Sequence, residues 1–153
     1  MRSETAATTI KTLALAAAAT CVASAAQAHS HEFKTLEIVH PWCIETKDTA
    51  DPVAVFMTIK NSGRPDRLLR ATSAIAGKTK LRVAGEKAVS SVGVAARSAT
   101  DLKRDGPHIQ LIDVKKQLSP YDSFFMTLTF ERAGKVEVEV MVEEASILEP
   151  AKH

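Results

Sequence analysis

Cysteine is nearly absent: the 153-residue sequence has two, Cys21 and Cys43, so neither a disulfide framework nor a four-cysteine zinc site is open to it. Charge of one sign is also lacking. Lys and Arg number 20 and Asp and Glu 18, and the formal charge of +2 gives no field that argues for nucleic acid as a partner. No nucleophile elbow, zinc-type His-Glu-x-x-His run or P-loop occurs. Histidine is scarce at five residues, no carboxylates pair at a recognisable spacing, and Ser90-Ser91 has no identifiable base, so nothing argues for an enzyme. No apolar run reaches the roughly 20 residues of a membrane span. What is present, 45% hydrophobic, 25% charged and 5% aromatic residues, is the balance of one ordinary globular domain.

Residues 1–28 read as an export signal. Arg2 and Lys11 precede the apolar run Leu13 to Ala19, which extends through Val22 and Ala23 and ends in the small-x-small sequence Ala26-Gln27-Ala28. Cys21 follows Ala18-Ala19-Thr20, which lacks the large apolar residue and the small Gly or Ala that lipidation sites place before the cysteine. Cleavage after Ala28 leaves a nearly neutral mature chain with a single thiol, Cys43, expected to be buried and inert rather than reactive or metal-bound.

Beyond residue 28 the chain reads as strands. Val136, Val138, Val140 and Val142 alternate with Glu137, Glu139, Met141 and Glu143, the period of two of a strand with one buried face. Val53, Val55, Met57 and Ile59 share a face before the turn Asn61-Ser62-Gly63, and Phe125 to Phe130 precedes the turn Ala133-Gly134-Lys135, which predicts a terminal hairpin. Shorter runs are Leu36 to Val39, Leu68 to Thr72, Lys80 to Ala84, Ala88 to Val94 and His108 to Val114. About eight strands without intervening helices predict an all-β antiparallel sandwich or barrel of Greek-key type. The domain is placed at residues 29–145, with a flexible tail over 146–153.

The new amino terminus would be His29-Ser30-His31. A free amine with histidine in third place can hold Cu(II) or Ni(II) in a square of four nitrogens: the amine, two ionised amides and the His31 imidazole. The alternative is a polar start whose histidines bind nothing. His108 and Gln110 fall on one face of a strand, and His108 is a further candidate metal ligand if another segment brings partners. His40-Pro41-Trp42 reads as packing. Met57 is expected to fill core, whereas Met141 falls on the glutamate side of its strand.

The sequence resembles the periplasmic copper chaperones called PCu(A)C. The likeness rests on His40-Pro41-Trp42, on Val55-Phe56-Met57-Thr58-Ile59-Lys60-Asn61-Ser62-Gly63 with Asp66-Arg67-Leu68, and on Leu102 and His108 through Val114. It continues through Leu118 and Met126-Thr127-Leu128-Thr129-Phe130-Glu131-Arg132-Ala133-Gly134-Lys135-Val136. The resemblance implies an exported, cupredoxin-like Greek-key barrel that binds copper and helps supply it to the Cu(A) centre of cytochrome c oxidase, through an oxidase subunit or its assembly factor. The Cu(I) site of that family uses two histidines and two methionines. Here the corresponding positions hold Arg82, a residue near Val92, His108 and Gln110, so one ligand of the soft set remains. Two readings follow. Either the protein carries copper, as Cu(II), through His29 and His31 with His108 as an accessory, or it is a metal-free adaptor for another periplasmic protein.

Overall fold

Valines alternating with glutamates leave a strand one dry face and one wet face, and β11 (Gly134–Glu143) buries Val138, Val140 and Val142 on its dry side. It lies antiparallel to β10 (Ser123–Phe130), pairing Phe124 with Val140 and Met126 with Val138, as the hairpin predicts. Gly134, at a φ of 90°, supplies the left-handed backbone of the turn. The computed structural model describes residues 29–148. The export signal expected at 1–28, and the tail beyond Leu148, lie outside the described residues.

The remaining strands are β1 (Ser30–Phe33), β2 (Leu36–Ile44), β3 (Val53–Asn61), β4 (Asp66–Thr72), β5 (Ala76–Val83), β6 (Lys87–Val89), β7 (Val92–Val94), β8 (Ser98–Leu102) and β9 (His108–Val114). All eleven strands of the described residues belong to one sheet, in the order β6-β5-β9-β3-β2-β11-β10-β4-β7, with β1 added to β2 and β8 to β3. Among the described residues every pairing is antiparallel except β2 with β11. The sheet curls until β5 meets β4, where the Thr79 hydroxyl donates to the Ala71 carbonyl. The expected all-β cupredoxin-like Greek-key barrel is therefore present. Ile38, Val55, Ile59, Ile109, Leu128 and Val140 have no exposed surface and mark the core inside the curl. No helix among the described residues is long and apolar enough to cross a membrane.

Four local features differ from the sequence reading. Residues 30–33, read there as a terminus, form β1, because Phe33 packs on the core. The strand read as Leu36 to Val39 continues to Ile44 through a bulge at His40, whose φ is 48°. That one extra residue shifts the buried positions from Leu36 and Ile38 to Pro41 and Cys43, and it gives Pro41 a place in a sheet. Ala88 to Val94 is not one strand: β6 pairs with β5 and β7 with β4, so Ser90-Ser91 carry the chain across the seam of the barrel. Ala145–Leu148 form a 3-10 turn, whose first N–H donates to the Glu45 carboxylate at 3.0 Å.

Candidate metal centre

Antiparallel pairing of β5 with β9 sets Arg82 opposite His108 and Lys80 opposite Gln110. Three positions that the resemblance marks as ligands, 82, 108 and 110, thus meet on the outer face of neighbouring strands. What fills them is a hydrogen-bonded polar network. Arg82 donates through Nε to Gln110 Oε1 at 2.9 Å and through a terminal nitrogen to the Glu86 carbonyl at 2.7 Å. Gln110 Nε2 donates to Glu86 Oε2 at 3.3 Å, and His108 Nε2 lies 3.6 Å from Glu86 Oε1. His108 is 3% exposed, and its Nδ1 faces the Gly106 carbonyl at 3.0 Å. A carbonyl only accepts, so the proton sits on Nδ1, and Nε2 is left to accept a metal or, when protonated, to pair with Glu86.

Glu86 had no sequence signal beyond its neighbour Gly85. It stands in the β5–β6 turn with a φ of 60°, and that backbone directs its carboxylate back over β9. Val92 does not join the group: it pairs with Leu68 on β7 and is buried in the core. One imidazole, one amide, one carboxylate and a guanidinium are a poor match for Cu(I), which favours sulfur and imidazole donors. Arg82 cannot coordinate and its fixed charge opposes a second cation, so these residues do not fit the family's cuprous site.

Beside the network lies a cleft of about 450 Å³, floored by Phe56 and His108 and rimmed by Lys47, Asp51, Glu86 and Arg104. Phe56 bridges two ring contacts, to Trp42 at 5.0 Å and to His108 at 6.2 Å. His40 stacks on Trp42 at 6.2 Å and meets the Glu143 carboxylate at 2.9 Å, so it packs as expected.

His29 and His31 lie elsewhere. His31 pairs with Ile38 across β1 and β2, and its Nε2 accepts the Glu139 backbone N–H at 3.2 Å. The His29 carbonyl accepts from the His40 N–H at 2.9 Å. The structure does not bring His108 to them, since β3 and β2 stand between β9 and β1. Among the described residues no three His, Cys, Asp or Glu side chains gather into a metal-sized group. Cys43 is in the core, where burial, aided by the Glu143 charge, pushes its thiol up to about 12. Met57 and Met126 are core residues, and Met141 is half-buried opposite Trp42.

Residues 36–142 match the family model described as "Putative lipoprotein LpqE-like". No curated protein matches the chain. Among solved structures, the copper-bound PCuAC domain from PmoF2 is 27% identical and covers 76% of this chain and 98% of its own, with a TM-score of 0.68. The apo PCuAC domain from PmoF1 is 24% identical, covers 76% and 99%, and has a TM-score of 0.71. The Cu(I) form of DR1885 from Deinococcus radiodurans is 22% identical, covers 80% and 86%, and has a TM-score of 0.62. These last two speak for the fold alone. With the family model spanning most of the barrel, the chain belongs to the LpqE-like family and is a PCu(A)C-type domain.

Proposed function

We propose that this protein is an exported copper carrier that hands its ion to a periplasmic acceptor by ligand exchange, without catalysing a reaction. The observation that supports it is the likeness to a copper-bound PCuAC domain across the whole of that domain, in a chain with His29 and His31 together at the start of the barrel. In this reading the chain is exported, as a family described as lipoproteins suggests, but its signal is removed after Ala28, because Cys21 lacks the residues that lipidation sites place before the cysteine. Cu(II) is bound by the His29 amine, the two following amides and His31, and His108, apart from them on β9, is a separate accessory ligand at the position that the resemblance marks. The acceptor is a subunit of cytochrome c oxidase or one of its assembly factors.

The Arg82 network favours one other reading, a metal-free adaptor that keeps the barrel and a protein partner but no stoichiometric copper. Titrating Cu(II) and Cu(I) into one chain beginning at His29 and another beginning at Ala26 separates the two. A tight Cu(II) site only in the first supports the carrier. Equal, weak uptake by both removes the terminal site and leaves the adaptor.

A further inference from the structure

The terminal copper site and strand β1 make opposite demands on the same atoms. In the four-nitrogen chelate the third-residue imidazole coordinates through Nδ1, because that nitrogen closes a six-membered ring with the residue's own amide nitrogen. Nε2 then points away from the ion and carries the ring proton. In the structure His31 Nε2 accepts the Glu139 N–H at 3.2 Å, which requires the proton on Nδ1 instead. One ring cannot satisfy both.

The backbone is in conflict as well. His40 N donates to the His29 carbonyl, and the register continues through Ser30 with Val39 and His31 with Ile38. Alternation along an antiparallel ladder makes His31–Ile38 the next hydrogen-bonded pair, so the His31 N–H is committed to the Ile38 carbonyl. Successive amides of a strand also face opposite ways. The chelate needs three successive backbone nitrogens in one plane around one ion, and it needs two of them ionised.

Resting on the carrier reading above, we infer that Cu(II) capture at His29–His31 peels β1 off the barrel. Four Cu–N bonds form as the ion gives up four water ligands, and the His31–Glu139, His31–Ile38 and His29–His40 hydrogen bonds break. The two amide protons, with the ammonium proton where it is present, pass to water, and copper keeps its oxidation state. Peeling uncovers Phe33, which packs against the core, and the edge of β2 over Leu36–Val39. An unpaired edge is what a partner strand adds to, so the loaded carrier presents a surface that the empty one hides.

The test is hydrogen–deuterium exchange read by mass spectrometry, with and without Cu(II), on the chain beginning at His29. The same chain acetylated on the His29 amine is the control, and every described residue is kept in both. Copper is expected to speed exchange about tenfold or more in segments 36–40 and 137–141, which hold the Ile38, His40 and Glu139 amides. The acetylated chain is expected to show no change. If the free chain binds one Cu(II), seen by the visible band of a four-nitrogen square, and both segments exchange as before, the peeling is overturned and the carrier reading stands. If the free chain binds no Cu(II), both fall.

Discussion

Arg82 and Gln110 are diagonal neighbours across β5 and β9, joined by a 2.9 Å hydrogen bond from the guanidinium Nε to the amide oxygen. That bond occupies the oxygen with which Gln110 would otherwise face a metal. Glu86 takes up the other end of the amide and the free nitrogen of His108. The guanidinium donates to the Glu86 backbone carbonyl and the Gln110 amide oxygen, the Glu86 carboxylate faces Gln110 and His108, and no buried side-chain polar atom among the described residues lacks a partner. The place where the family resemblance implies soft ligands is thus filled by a cation belonging to the chain.

Restoring the soft donors should restore the site. Arg82→His with Gln110→Met removes the fixed charge and sets two imidazoles and a thioether on the paired strands, and it is expected to gain about one equivalent of Cu(I) over the parent chain. Competition against a Cu(I) chelator measures the gain. A double variant no better than the parent would mean that Glu86, or the lost fourth donor near Val92, sets the limit.

Much of this was legible in the sequence, for physical reasons that vary by element. β11 and β3 could be read because one face is dry, so their valines repeat every second residue. β8 could not, since only Leu102 at its end is buried. The His40 bulge hid half of β2 by breaking the alternation midway, and Ser90-Ser91 looked like strand because nothing local marks a seam closed by partners distant in the chain. At the site, His108 and Gln110 were legible from their spacing. Glu86 was not, because a left-handed turn residue, rather than any periodicity, brings its carboxylate to His108.

Asp66 should prove a keystone of the β10–β11 turn. It is 7% exposed, and its carboxylate accepts the backbone N–H groups of Arg67 and Arg132 at 2.8 Å and of Ala133 at 2.9 Å. Asp66→Ala leaves three donors without their acceptor, one of them buried, and is expected to cost about 3 kcal/mol. Urea unfolding should show a lowered midpoint at an unchanged slope.

His108 and the terminal histidines should act independently. With β3 and β2 between them, His108→Ala is expected to leave Cu(II) uptake by a chain beginning at His29 within about twofold of the parent, as distant sites add. His31→Ala in the same chain is expected to abolish the four-nitrogen square. Isothermal titration of both variants decides the point, and a large loss in His108→Ala would show one shared site in place of two.

Cys43 should make the barrel weaken in alkali. Burial pushes its thiol from the ordinary value of 9.0 up to about 12, with Glu143 adding to the shift. In the unfolded chain the thiol releases its proton near its ordinary value, whereas the folded chain holds it until about 12, so the unfolded state binds fewer protons between these limits. The thiol's contribution is therefore whole below pH 9, and it is lost progressively as pH rises towards 12. Cys43→Ala removes the titration along with the sulfur, so the parent's advantage over that variant is expected to shrink by about 1 kcal/mol between pH 7 and pH 10. Paired urea midpoints at the two pH values measure this. An advantage that stays constant would place the folded thiol at its ordinary value and in contact with water.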